Sequence, residues 1–522
     1  MTPGTLYYGD CLGWMQTWQR EVVDLIYLDP PFNSKTDYNI LWGKGNGVPG
    51  QVRAFNDTWR WDQAAAMRVE AIERAVAHPA HLSILWLRNL LRESGMLAYL
   101  SYIAQRLAEM HRILKSTGSI YVHCDPTASH YLKVIMDEIF GGQNFVNEIV
   151  WRRTSAHSDA NRCGAITDRL LLYTKSAEWT WNQQFMPYDD GYKSRFRHKD
   201  PDGRAWMDDN LTAKGLSGGG YEYEYKGTKS LWRVPRETMK RLDLEGRLHF
   251  TSRGGIRQKR YLDELEGRPI QGLWDDISPI NSQSKERLGY PTQKPLKLLE
   301  RVIKLSSNPG DTVLDPFCGC GTTIEAAHNL ERHWAGVDIS AHAIDLIATR
   351  RLRLVQPKIE GIPMDMHAAG SLARANRHDF EAWAVTRIPG LAPNQRKTGD
   401  EGIDGRGRLL AGGRPGQQGQ ELPTLVLGQV KSGKFSLSHL RDFCGVVTRE
   451  RAALGVYITL DAEPTSAAKR EMTRMGHIRI GSEEYPRVQM WSIRDHFEQR
   501  KPHLPGLADP YTGAPAQELL FR

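Results

Sequence analysis

Apolar and polar positions in residues 1 to 355 fall into short apolar runs separated by longer stretches of helical period. Val22–Leu28 is a nearly continuous apolar run, the pattern of a strand buried on both faces. Helical stretches follow over Leu82–Leu114, then a strand over Gly118–His123 and two more over Asn147–Trp151 and Leu170–Tyr173. The rhythm resumes after Tyr290: helix Leu296–Leu305, strand Thr312–Leu314, helix Thr323–Leu330, strand Trp334–Val337, and a closing segment Leu346–Leu354. Strands alternating with helices predict an α/β fold built on a parallel sheet.

The pattern degrades over residues 152–275, which are rich in Gly, aromatics and charge, with 23 Lys and Arg against 18 Asp and Glu. This stretch reads as an insertion into the first domain, residues 1–355. A polar joint with Gly and Pro, residues 356–370, is expected to link it to a last block, residues 371–522. That block has strand signals of its own at Leu425–Val430 and Gly455–Thr459. There is no internal repeat.

A chain of 522 residues is long enough for two or three domains. No apolar run approaches the roughly 18–20 residues of a membrane span, so no membrane association is expected. The first residues lack the pattern of an export signal. The six cysteines form no C-x-x-C pair and no zinc spacing, which suits reduced thiols in the cytoplasm. A net charge of +8 favours a polyanionic partner only weakly.

Two short segments carry the chemistry. Asp29-Pro30-Pro31-Phe32 follows the Val22–Leu28 strand, and Asp315-Pro316-Phe317-Cys318-Gly319-Cys320-Gly321-Thr322 follows the strand at Thr312–Leu314. A strand ending in an acid, then a Gly-spaced loop, then a helix presents backbone N–H groups to a ligand. Gly319 and Gly321 remove side chains where a ligand must approach backbone. Asp338 ends the next strand, where an acid suits the two hydroxyls of a ribose. The dinucleotide triplet G-x-G-x-x-G is absent.

Together these motifs resemble the DNA amino-methyltransferases, and their order along the chain resembles the β group of that family. The resemblance implies a Rossmann-like sheet that binds S-adenosylmethionine through Asp315, Phe317, Gly319, Gly321, Thr322 and Asp338. It also implies that Asp10, in Gly9-Asp10-Cys11-Leu12, contacts the cofactor's adenine, and that Lys294-Pro295 closes its methionine end. An exocyclic amine is a poor nucleophile because its lone pair is delocalised into the ring. In the related enzymes an Asp carboxylate and a Pro carbonyl, here Asp29 and Pro30, accept its two N–H bonds. Pro30 and Pro31 stiffen the turn, and Phe32 offers a face on which the base can stack. The target nucleotide must be flipped out of double-stranded DNA to reach such a site. The Asp-first motif resembles adenine N6 enzymes more than cytosine N4 enzymes, which more often begin with Ser. Neither Cys124 nor Cys163 has the setting of a cytosine C5 nucleophile. Target recognition is expected in 152–275, where Arg152, Arg153, Arg195, Arg197, Lys199, Arg253, Arg257, Lys259 and Arg260 are candidates for phosphate or base contacts. Enzymes of the group often pair, so a homodimer is compatible with the resemblance.

In the last block, Glu381 lies in a helical stretch, Asp404 in Gly399-Asp400-Glu401-Gly402-Ile403-Asp404-Gly405, and Gln429 and Lys431 on one face of a strand. This order resembles the Mrr-like branch of the PD-(D/E)-x-K nucleases, an α/β restriction-endonuclease-like fold. The resemblance implies Mg²⁺ held by Asp404 and Gln429, with Glu381 assisting and Lys431 helping to activate water. The chain would then join a methyltransferase to an endonuclease, as in a restriction-modification or phage-defence system. The alternative is a solitary methyltransferase with a non-catalytic DNA-binding tail. Gly428–Phe435 nearly spells a P-loop, but Phe435 replaces the required Ser or Thr, so ATP is not an expected partner.

Overall fold

The computed structural model describes residues 1–30, 38–41, 51–55, 59–154, 163–213, 219–281, 284, 286–288, 290, 293–394, 402–410, 424–508 and 515–516. Pro31, Phe32, Gly399, Asp400 and Glu401 lie outside them. The chain forms two compact units, residues 183–271 and all the rest.

The larger unit is built on a nine-stranded sheet. In chain order its strands are β1 (Thr5–Tyr8), β2 (Val23–Leu28), β3 (Leu114–Cys124), β4 (Phe145–Arg152), β5 (Thr167–Thr174), β6 (Leu273–Trp274), β7 (Thr312–Asp315), β8 (His333–Asp338) and β9 (Lys358–Glu360). They lie side by side as β6-β4-β5-β3-β2-β7-β8-β1-β9. Only β5 runs antiparallel to its neighbours. Central strands are apolar on both faces because helices cover both: β2 buries Val23, Leu25, Ile26, Tyr27 and Leu28. Helix α1 (Cys11–Thr17) follows β1, and the long helix α2 (Gly95–Ile113) follows β2. Their apolar faces meet one core with Ile26, Leu28, Ile120 and Val122. Helices α3 (Leu296–Ser306), α4 (Thr322–Asn329) and α5 (Ala341–Leu346) accompany β7 and β8.

Two expectations about boundaries need correction. Residues 356–370 are not a simple joint: they contain β9, which pairs with β1 and closes the sheet edge, and the first turn of the helix Met366–Ala375. Lys358-Ile359-Glu360 is too short and polar to announce a strand, and the exposed backbone edge of β1 specifies it instead. The inserted unit is also narrower than 152–275, because β4, β5 and β6 belong to the main sheet. Residues 183–271 form a four-stranded antiparallel sheet and two separate two-stranded pairs. Their core is Leu211, Trp232, Met239, Leu242, Leu248 and Ile256.

The last block belongs to the larger unit and has its own sheet: β10 (Leu391–Pro393), β11 (Gly405–Leu409), β12 (Leu425–Lys431), β13 (Leu454–Thr459) and β14 (Val488–Ser492), in that spatial order. Helix α6 (Arg377–Thr386) packs against both β12 and α5. At that junction the Arg387 guanidinium donates to Asp345 of α5 at 2.8 Å, with side chains 2% and 5% exposed. Burial raises the Asp345 carboxyl, and the charge and hydrogen bond of Arg387 oppose the shift. Removing one partner leaves the other charge buried and alone, which costs about 3–5 kcal/mol, whereas an apolar pair of similar volume is tolerated. Arg387→Ala is therefore expected to lower the thermal midpoint by several degrees, and Arg387→Met with Asp345→Leu to restore most of it. Differential scanning fluorimetry checks this; an unchanged midpoint in Arg387→Ala refutes it.

Candidate active site

β2 and β7 run side by side and parallel, with Leu25 next to Val313 and Ile26 next to Leu314. Both strands therefore end on one edge of the sheet, where open parallel sheets bind ligands. Asp29 and Asp315, distant in the chain, come to that same edge.

Asp29 is held by one oxygen only. The Lys294 ammonium donates to its Oδ2 across a separation of 265 residues, and the two side chains are 11% (Lys294) and 16% (Asp29) exposed. Its Oδ1 is buried and has no hydrogen-bond partner among the described residues. Leaving a buried acceptor unsatisfied costs on the order of 1–3 kcal/mol, so this oxygen can take a further donor. The adjoining Pro30 is buried. Lys294, assigned by resemblance to the methionine end of a cofactor, places its charge on the Asp29 carboxylate.

The Gly loop follows β7. The Phe317 N–H donates to Asp315 Oδ1 at 3.0 Å, and the Phe317 ring packs against the main core. Gly319 and Gly321 have φ of +47° and +77°, values that L side chains rarely adopt. A Cβ on Gly321 would lie 2.5 Å from Ile347 Cγ1, and one on Gly319 would lie 3.3 Å from Tyr290 Cε1. Asp338, ending β8, accepts the N–H of Gly319 at 2.8 Å through Oδ2 and that of Ser340 at 2.8 Å through Oδ1. It thus ties the loop to the neighbouring strand.

Sequence reasoning missed Arg351 altogether. Its guanidinium, 3% exposed, donates to the Cys320 carbonyl and to Thr322 Oγ1 at 3.0 Å, and pairs with Glu325. It therefore braces the turn into α4. Among the neighbouring Arg350, Leu352 and Arg353 it looks like ordinary surface charge, and no local signal separates it. Asp10 caps α1 by accepting from Leu12 N–H at 2.8 Å. Its carboxylate also pairs with Arg106, 3% exposed, whose guanidinium stacks 3.2 Å from the Tyr102 ring centroid.

In the last block, the antiparallel pairing of Gly405 with Gly428 brings Asp404 beside Gln429. Asp404 Oδ2 accepts the Val430 N–H at 2.7 Å. Gln429 is 5% exposed, and its Nε2 donates to the Gly402 carbonyl at 2.9 Å. That bond orients the amide and leaves Oε1 buried without a partner among the described residues. Tyr457, next to Gln429 on β13, likewise has a buried, unpartnered hydroxyl. Lys431 is half-buried at the end of β12. Glu381 pairs on its own helix with Arg377 at 2.7 Å and lies 3.5 Å from His378. Among the described residues no group of three or more His, Cys, Asp or Glu is arranged to hold a metal ion.

Several cations proposed for DNA contact are engaged within the protein. Lys259 pairs with Asp200 at 2.8 Å, and Arg257 and Arg260 each lie 3.7 Å from an acid, Asp208 and Asp209. Arg153 pairs with Asp168 at 3.0 Å, Arg152 donates to the Asp275 carbonyl at 2.9 Å, and Arg195 lies over the Tyr192 ring.

Burial pushes the Asp315 carboxyl up to about 7; hydrogen bonds from Thr323 and Phe317 oppose the shift, and the charges of Asp29 and Asp338 add to it. Burial likewise raises Asp338 to about 6, against hydrogen bonds from Ser340 and Gly319. Both values exceed the ordinary 3.8, so the folded chain holds these protons more tightly than the unfolded chain. The resulting stabilisation is complete below about pH 4 and is lost as pH rises through about 6 to 7. Asp315→Asn is therefore expected to raise the thermal midpoint relative to the parent at pH 8 by more than at pH 5, measured in ligand-free protein. An equal difference at both pH values contradicts the assignment.

Comparison with known proteins identifies the family of this chain. A family model described as DNA methylase, of the N6/N4 type, matches residues 23–349, more than half of the chain. The type II methyltransferase M.EcaI of Enterobacter cloacae is 33% identical over 258 residues, 48% of this chain and 57% of that protein. The DNA adenine methyltransferase YhdJ of Escherichia coli K12 is 25% identical over 351 residues, 67% of this chain and 82% of that protein. A solved PvuII DNA methyltransferase, described as cytosine-N4-specific, is 13% identical with a TM-score of 0.34, covering 67% of this chain and 88% of that one. The chain spans about half the length of several curated relatives that it matches. With the family match covering β2 through α5, the chain belongs to the N6/N4 DNA methylase family.

Proposed function

We propose that this protein is a site-specific DNA methyltransferase that modifies the N6 amine of adenine in double-stranded DNA, using S-adenosylmethionine. The observation that carries this reading is the half-engaged carboxylate of Asp29: Oδ2 is fixed by Lys294 and Oδ1 is buried without a partner among the described residues. An amine N–H donated to Oδ1, with its second N–H to the Pro30 carbonyl, draws the nitrogen toward tetrahedral geometry and frees its lone pair. The negative charge of Asp29 also favours the positive charge that develops on the nitrogen, a contribution that needs no rearrangement at the moment of reaction.

The Gly319–Gly321 turn suits the cofactor, because its positive-φ glycines leave bare backbone at the end of β7. Asp338, Gly319 and Thr322 would hold it, with Asp10 toward the adenine. Bound S-adenosylmethionine supplies an electrophilic methyl group on a sulfonium. A base reaches the site only when flipped from the duplex. Phe32 is proposed as its stacking face, and the compact unit 183–271 as the reader of sequence. The Asp-first motif and the relative described as an adenine methyltransferase both favour adenine over cytosine.

The last block is proposed to be a Mg²⁺-dependent endonuclease, which would make the chain a joined modification and cleavage enzyme. What supports this is Gln429 Oε1, buried beside Asp404 with no partner among the described residues. One carboxylate and one amide oxygen suit Mg²⁺, which keeps several waters and binds phosphate oxygens directly. Bound there, the ion would supply charge against the phosphate and lower the pKa of a water. Glu381 and Lys431 would position and activate that water.

The two activities are expected to separate. Asp29→Ala should lower methyl transfer to unmodified genomic DNA about 10²- to 10³-fold while calorimetry still shows S-adenosylmethionine binding. Single-molecule sequencing of DNA from cells expressing the gene should show N6-methyladenine at one motif; unmodified DNA or another base refutes the assignment. Lys431→Ala should abolish Mg²⁺-dependent cutting of unmethylated DNA and leave methylation unchanged. If the parent protein with Mg²⁺ never cuts such DNA, the endonuclease reading fails.

A further inference from the structure

Helix α5 (Ala341–Leu346) runs into a π-helical turn, Ile347–Arg351, and both ends of that turn meet the Gly loop. Ile347 is fully buried, and a Cβ on Gly321 would lie 2.5 Å from its Cγ1. Arg351, its side chain 3% exposed, donates through Nε to the Cys320 carbonyl. Its Nη2 lies 3.0 Å from Thr322 Oγ1 and 3.5 Å from Cys320 Sγ, and its Nη1 pairs with Glu325 of α4. One guanidinium thus spans the loop from Cys320 to the first residues of α4. π-Helical turns are frequent at functional sites.

The loop does not fix its own backbone. Rotating the Cys320–Gly321 peptide changes ψ of Cys320 and φ of Gly321, and a glycine takes either sign of φ with little penalty. The peptide is instead held from two sides: the Gly321 N–H donates to the Cys318 carbonyl at 2.7 Å, and the Cys320 carbonyl accepts from Arg351. Cys320 is 4% exposed, so a carbonyl that loses this donor gains by rotating toward another one.

Thr322 is set by the same group. A guanidinium carries donors and no acceptor, so Thr322 Oγ1 accepts from Arg351 and keeps its own proton to give elsewhere. A buried ion pair is costly as packing, since apolar side chains of similar volume fill such space as well or better. An apolar side chain, however, supplies no donor to the Cys320 carbonyl.

We propose that Arg351 is a positioning residue for the cofactor. By engaging the Cys320 carbonyl and the Thr322 oxygen, it turns acceptors away from the carboxylate at the amino-acid end of S-adenosylmethionine and leaves donors to meet it. The proposal rests on the reading of the Gly319–Gly321 turn as the cofactor loop.

The test compares S-adenosylmethionine affinity, by calorimetry on the full chain, with kcat at saturating cofactor for methyl transfer to unmethylated genomic DNA. Arg351→Lys keeps the charge beside Glu325 and loses the planar fork. It is expected to weaken cofactor binding about 10- to 100-fold, the worth of a hydrogen bond to a charged group. At saturation its kcat should stay within about twofold of the parent, with DNA affinity unchanged. Unchanged cofactor affinity, or an equal loss of DNA affinity, overturns the proposal. Arg351→Met with Glu325→Leu separates positioning from packing and also serves if Arg351→Lys folds poorly. Its thermal midpoint should lie near the parent's, with cofactor binding still weaker by about 10-fold or more. Recovery of both midpoint and affinity reduces the pair to packing and overturns the proposal. A parent protein that binds no S-adenosylmethionine, or a Gly319→Val variant that binds it as the parent does, sinks the reading of the loop itself and is thereby told apart from failure of this inference.

Discussion

The parallel contact between β2 and β7 is the constraint from which the site follows. Two strands from opposite ends of the methylase region lie edge to edge, with Ile26 beside Leu314. Parallel strands share a direction, so the acids that follow them share an edge. Segments between them are free to vary in length, because the sheet and not the intervening chain sets the distance. On the proposed reading, this is how the motif at Asp29 and the Gly loop near residue 320 serve one site. A slip of one residue between β2 and β7 would turn Tyr27 and Asp315 to the opposite faces and dissolve the arrangement.

The strands that carry the chemistry were legible because they are buried on both faces and read as apolar runs; Val22–Leu28 became β2 and Trp334–Val337 became most of β8. The Gly-spaced loop was legible because only glycine suits its backbone at residues 319 and 321. What could not be read was which distant charge meets which. Lys294 on Asp29, Arg106 on Asp10 and Arg351 on the Cys320 carbonyl are contacts across long separations. Nothing in local spacing distinguishes such a buried cation from a solvated one. Strand β9 was missed for a related reason, since its pairing energy comes from the backbone edge of β1 and not from its own side chains.

The inserted unit shows the same limit from the other direction. Its arginines and lysines suggested a phosphate-binding surface, yet Lys259 is tied to Asp200, which also accepts from Trp206 and Tyr261. Arg204 and Arg247 share Glu264. A unit with so small an apolar core uses ion pairs and aromatic–cation contacts to fix its surface. Exposed pairs of this kind add little stability, but they do orient side chains. Recognition by such a surface depends on where its donors and rings point more than on its summed charge.

Charge balance at the carboxyl edge ties these observations together. Asp29 and Asp168 both feel the Lys294 charge, and Asp345 has Arg387. Asp315 and Asp338 differ: their carboxyls receive hydrogen bonds from Phe317, Thr323, Gly319 and Ser340, and burial still raises both. On the proposed reading, two carboxyls raised by burial gain from a ligand that brings positive charge and hydroxyl donors to them. A sulfonium with a ribose does both. On the proposed reading, the protein supplies a cation where its own carboxylate must accept an amine, and leaves its other acids to be completed by the cofactor.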